Sequence, residues 1–371
     1  MKRTFTLLAG LILLFVACKK ENHKSVTNST VYIGSLDSNL YALDAQTGAK
    51  KWVFHSAAAI YSSPTIYKGL VYLAGSDGVL YGLDTATGAQ VWAYRTGSPL
   101  GPTPIVSGGN MYFSNENDSL FALDIDSRSV LWIVRMTLTG GSPVSSSPTL
   151  MNGVLYVGGP GNVLMFAFDA STGNEKWIDN SFFGQAVYGA PCYSNGTVFV
   201  GGQDENLYAL NATTGAVQWS YPTFSQIFSS PTVSNGLLYF GGTSNFIYCL
   251  DVSTAKEKWT YVALNAVYAS PVVANGVVYV GDASGNLFAL DANTGVPRWV
   301  NRIGTDNLFG GPTYANGTLY LGSLDQHVYA VDATTGNTKW AFLTNGSIQS
   351  SPCVTGSDGS VYHPGVSGEE N

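Results

Sequence analysis

Apolar residues alternate with small or polar ones along this chain in runs of five or six, and each run stops at Gly, Asp, Asn or Ser. Residues 57–97 display the unit: "IYSSPTIY", a Lys68-Gly69 turn, "LVYLAG", the turn "SDG", "VLYGLD", the turn "TATG" and "AQVWAYR". A period of two broken by turn-formers predicts four short antiparallel strands. In the last turn Asp84 is placed to accept backbone N–H bonds and Gly88 to supply a left-handed residue.

The unit recurs. "LYALDAQTGAKKW" at 40–52 returns as "LYGLDTATGAQVW" and "LFALDIDSRSVLW". All eight Trp take part: Trp52, Trp92, Trp132, Trp177, Trp219, Trp259, Trp299 and Trp340, at gaps of 40, 40, 45, 42, 40, 40 and 41. Eight residues before each stands an acid or its amide (Asp44, Asp84, Asp124, Asp169, Asn211, Asp251, Asp291, Asp332), and three before that an aromatic. Gly follows the acid by four residues in six repeats, while Arg128 and Ala255 replace it in the other two, so those turns are expected to differ in geometry.

A four-stranded repeat of this length predicts propeller blades, each Trp docking one blade on the next. Burying an indole removes about 200 Å² from water, worth several kcal/mol. The chain enters at "VYIGSLDSNLYALD", strands two to four of a blade, and "SIQSSPCVTG" at 347–356 has the form of a first strand. Together they complete one blade, giving an all-β, eight-bladed propeller whose N- and C-terminal strands share a blade and leave the ring without a gap. "SVYHPG" at 360–365 competes with Val31–Ile33 for the second-strand place, and the sequence leaves that choice open.

Charge and chemistry narrow the function. Among 371 residues 11% are charged, with a formal net charge of −7 and a pI near 5.0, which excludes a basic nucleic-acid face. The start is basic (Lys2, Arg3), followed by an apolar run from Leu7 to Val16 too short to span a bilayer. Phe15-Val16-Ala17-Cys18 resembles the lipobox of bacterial lipoproteins, with Phe15 where Leu is usual. That resemblance implies a signal peptide over 1–17 and lipid on Cys18; the polar, aperiodic residues that follow make 18–30 the lipidated Cys and a flexible tether, and the propeller runs from 31 to 371. Lys19 after the Cys fits an outer-membrane destination in the cell envelope. Cys192, Cys249 and Cys353 read as small buried hydrophobes. The His residues (His23, His55, His327, His363) lack metal-ligand spacing. Asp37, Asp77, Asp204 and Asp325, at one equivalent turn position, read as solvated turn-formers and not as calcium ligands.

The pattern "GxxDxxLYALDxxTGxxxW" resembles the repeat of the pyrroloquinoline-quinone (PQQ) type propellers over residues 31–356. One branch of that family is the quinoprotein alcohol dehydrogenases; another is non-catalytic lipoproteins of the BamB kind, from the machinery that assembles outer-membrane β-barrels. The resemblance implies that a dehydrogenase would carry insertions between blades and adjacent cysteines. This chain has near-minimal blades and no Cys-Cys pair, so neither catalysis, a cofactor nor a metal is expected. Fold alone does not settle function.

What varies between repeats is the position three residues before each inner-strand Pro: Tyr61, Gly101, Ser145, Tyr188, Phe228, Tyr268, Phe309 and Gln349. The aromatics Tyr61, Tyr188, Phe228, Tyr268 and Phe309 form a candidate partner-binding set at one mouth of the channel, weighed against rings merely packed under neighbouring loops. The expected function is a lipid-anchored, monomeric scaffold with protein partners at the outer membrane, the barrel-assembly machinery first among them. The alternative is a ligand-binding module for a polysaccharide or a cofactor; a PQQ enzyme ranks last.

Overall fold

The computed structural model describes residues 29–136, 146–159, 163, 165–179 and 187–363. The segments assigned to a signal peptide and to the tether up to residue 28, Cys18 included, lie outside the described residues, as does Ser145.

The alternating runs become strands in eight sheets around a central channel, and the described residues contain no helix. Within each blade neighbours in sequence pair antiparallel, as in Thr65–Tyr67, Leu70–Ala74, Val79–Asp84 and Gln90–Arg95. The short first strands lie innermost, where hydroxyls tie one blade to the next: Ser230 N–H donates to Ser270 Oγ (2.9 Å) and Thr232 Oγ1 to the Pro271 carbonyl (2.7 Å). First and second strands join through two-residue turns such as Asn235-Gly236 (φ 51° and 76°), the left-handed pair that matches hairpin twist.

The ring closes as expected. Cys353–Thr355 pairs antiparallel with Thr30–Gly34, with Val31 opposite Val354. Val31–Ile33 therefore holds the second-strand place. Val361–Tyr362 does not displace it but pairs with the other edge of Cys353–Thr355, making a fifth strand on the channel side of this blade.

Trp faces a small residue across each third-to-fourth-strand hairpin: Ala42, Gly82, Ala122, Ala167, Ala209, Cys249, Ala289 or Ala330. The register shifts at the next residue of the third strand, a bulge that tilts the indole toward the following blade. There the Trp meets that blade's turn. Nε1 of Trp52, Trp132, Trp177, Trp259, Trp299 and Trp340 donates to the carbonyl of the residue after the next blade's acid or amide, at 2.9–3.1 Å. The indole lies on that turn's Gly so closely that a Cβ on Gly88 would stand 2.6 Å from Trp52 Cε3.

The two turns lacking Gly correct the expectation of a different geometry. Arg128 (φ 59°) and Ala255 (φ 57°) occupy the same left-handed region, and Ala255 N–H still donates to the Asp251 carbonyl (3.0 Å). The surrounding hairpin fixes the backbone, and these residues bear the strain. What changes is the seam: Trp92 and Trp219, which face them, donate no hydrogen bond among the described residues.

Candidate partner-binding face

Each outer strand is joined to the next inner strand by a loop on one face of the ring. That face also carries the second-to-third-strand turns, as Thr243 N–H to the Gln226 carbonyl (3.0 Å) and Ala283 N–H to the Ala266 carbonyl (2.8 Å) show. In six of these loops a fully buried aliphatic side chain, Ile60, Val187, Ile227, Val267, Leu308 or Ile348, pins the chain to the blade. Its socket is a second-strand Gly: a Cβ on Gly201 would lie 2.2 Å from Ile227 Cγ2. The residue after the pin is therefore turned to the channel mouth.

Four of the five predicted aromatics come together there. Ring centroids are 5.2 Å apart for Tyr188–Phe228, 5.6 Å for Phe228–Tyr268 and 5.7 Å for Tyr268–Phe309, the last pair stacked at 16°. Such spacings lie in the attractive range for aromatic pairs. The rings thus pack on one another in a row along four consecutive blades. Tyr61 stands apart, exposed, between blades that carry Gly101 and Gln349 at this position.

Sequence reasoning missed two residues beside the row. Phe224 (83% exposed) and Leu264 (70%) project from the loops that carry Phe228 and Tyr268. The equivalent positions in the other described loops hold Ala57, Gly97, Thr305 and Asn345, a contrast that was available in the sequence. Phe224 also sits at φ 54°, a conformation that disfavours a bulky residue. Row and flanking pair make one side of this face apolar.

The turn acids are not merely solvated. Asp37, Asp77, Asp204 and Asp325 each accept from a third-strand hydroxyl: Tyr41 (2.6 Å), Tyr81, Tyr208 and Tyr329 (2.9 Å). Asp37 and Asp325 also accept backbone N–H bonds from the neighbouring loop, at Asn345 (3.0 Å) and Thr305 (2.8 Å). Burial, then the bond to its Asp, pushes the Tyr41 and Tyr81 hydroxyls up to about 12. Among the described residues no three His, Cys, Asp or Glu side chains converge as a metal site would require. All three propeller cysteines are free thiols; Cys249 and Cys353 are buried, and Cys192 is partly exposed.

A family model described as outer membrane protein assembly factor BamB matches residues 18–180, 166–267 and 263–367. The chain belongs to this BamB family. No curated protein matches it. Solved structures share its fold at low identity. A europium-containing methanol dehydrogenase is 15% identical over 81% of this chain and 80% of its own (TM-score 0.67). The quinohemoprotein alcohol dehydrogenase ADHIIG from Pseudomonas putida is 16% identical over 91% and 72% (0.68). The computationally designed Ika8 protein is 15% identical over 89% and 98% (0.69). BamB-family membership and PQQ-type propeller repeats thus stand together, and these structures speak to fold alone.

Proposed function

We propose that this chain is a lipid-anchored, non-catalytic scaffold of the bacterial cell envelope. In this reading its loop face holds a protein partner belonging to outer-membrane β-barrel assembly. The observation that carries the reading is the one-sided apolar surface: four ring-to-ring aromatics with Phe224 and Leu264 exposed beside them. A structural role needs neither exposure nor asymmetry, whereas a docking site needs both. Membership of a family described as an assembly factor supports the choice of partner. Near-minimal blades and the lack of adjacent cysteines support the non-catalytic part. Cys18, after an apolar run ended by Phe15-Val16-Ala17, supports the anchor.

The test is affinity capture of the tagged chain from cross-linked native membranes, with bound proteins identified by mass spectrometry. Enrichment of the central barrel-assembly protein, lost in the Tyr188→Ala/Tyr268→Ala double variant while the fold persists, is the expected result. Capture of a glycan transporter instead, or capture that ignores the double variant, overturns it.

A further inference from the structure

The eight seams between blades are internal controls for one another, and one is built differently. In five of them a second-strand tyrosine shares the carbonyl that the Trp uses: Tyr32 reaches Thr85, Tyr156 Ala212, Tyr239 Ala292, Tyr279 Ala333 and Tyr320 Ala45, at 3.0–3.2 Å. Between the second and third blades both donors lose that partner. Among the described residues neither the Tyr72 hydroxyl nor the Trp92 indole N–H, whose rings pack at 6.2 Å, donates a hydrogen bond, and neither atom is sealed from solvent. At the Trp219 seam Phe199 replaces the tyrosine, and at the Trp132 seam the indole keeps its acceptor while Tyr112 accepts from Asn110 (3.5 Å), so only the second-to-third seam has both donors unpaired among the described residues.

A cavity of about 270 Å³ opens at this place. Tyr72 and Trp92 line one wall; Leu70, Leu123 and Ile125 line the apolar remainder. Gly82, opposite Trp92, is the smallest of the eight residues in its position and lets the Tyr72 and Trp92 rings sit close over it: a Cβ there would lie 3.1 Å from Tyr72 and 3.3 Å from Trp92. Arg128 lies at the rim where six other turns have Gly, and its guanidinium forms no ion pair among the described residues. The neighbouring Lys68 is paired with Asp126 at 2.8 Å, so the two cancel and the rim keeps one positive charge on an acidic protein.

We infer that this seam is a binding site for a small organic carboxylate with a flat apolar body. Arg128 pairs with the carboxylate, the Tyr72 hydroxyl and Trp92 Nε1 donate to it, and the flat body lies against the indole and the aliphatic wall. Both donors line the groove, open to solvent and free of protein acceptors among the described residues, so a ligand carboxylate can accept from both in place of water. The guanidinium supplies a charge-assisted bond of fixed geometry. The site lies on the face opposite the aromatic row and is independent of the scaffold reading.

The test is an NMR titration of the full chain with phenylacetate, observing the Trp indole N–H signals, with Trp92 assigned through Trp92→Phe. The expected result is a saturable shift of the Trp92 signal alone, with phenylacetamide binding weaker by about tenfold or more. Arg128→Gly places in this turn the residue of six sister turns, so it should fold and lose the phenylacetate response. Tyr72→Phe should weaken it. The inference is overturned if Trp92 does not respond, if all indole signals drift together, if the amide binds as well as the acid, or if Arg128→Gly binds undiminished.

Discussion

Gly88→Ala tests how one blade is docked on another. The added Cβ would meet Trp52 at 2.6 and 2.7 Å, against a ring held by its own hydrogen bond, so the indole cannot yield cheaply. The left-handed conformation (φ 73°) adds about 1–2 kcal/mol for a residue with a Cβ. Overpacking adds about 1–3 kcal/mol. Loss of unfolded-state entropy returns about 0.4–1 kcal/mol, leaving a net destabilisation of about 1–4.6 kcal/mol. Urea unfolding followed by Trp fluorescence measures it. The mirror experiment is Ala255→Gly, which relieves strain at φ 57° and should raise stability by up to about 1 kcal/mol. A Gly88→Ala chain as stable as the parent, or an Ala255→Gly chain that loses stability, would refute the view that the Gly is there to seat the indole.

Further expectations concern the same ties. Trp52→Phe should cost about 1 kcal/mol more than Trp92→Phe in the same assay, because only Trp52 gives up a hydrogen bond. Tyr81→Phe, which leaves Asp77 without its hydroxyl donor, should cost about 1.5–3 kcal/mol by urea unfolding. Tyr41 and Tyr81, held near about 12 against an ordinary 10, favour the folded state fully below pH 10. That contribution disappears as pH rises through 12, so tyrosinate absorbance from these rings should appear late and together with unfolding. His363, beside Cys353 at 3.4 Å, is pushed down to about 4 by burial. Its neutral form is favoured in the fold, so the strand Val361–Tyr362 should be secure above pH 6.5 and open as pH falls toward 4, read by hydrogen exchange.

The repeat pitch, the strand pattern and the closure were legible because they depend on period and turn chemistry within each unit. What escaped was chemistry shared between units. The Gly of "TG" and the Trp of the preceding blade are one contact, seen as two separate regularities along the chain. The same holds for the Asp–Tyr pairs: Asp37 with Tyr41 and Asp204 with Tyr208 stand four residues apart, a spacing that signals a hydrogen bond across one turn. Arg128 and Ala255 misled because local propensity argues for a changed turn, while the ladder on either side imposes the old one. At the candidate site the row Tyr188–Phe309 was readable from position alone. Phe224 and Leu264 were missed because an apolar loop residue is ordinary until its neighbours are known to be bare.

The most direct measurement places a photo-cross-linking residue at Phe224 on the loop face or at Asn293 on the opposite one, in cells, and identifies the adducts. Adducts to an outer-membrane barrel-assembly protein from position 224, with none from 293, are the expected result. Adducts from 293 alone, or from neither position, would contradict the assignment of the aromatic face as the place where this propeller meets its partner.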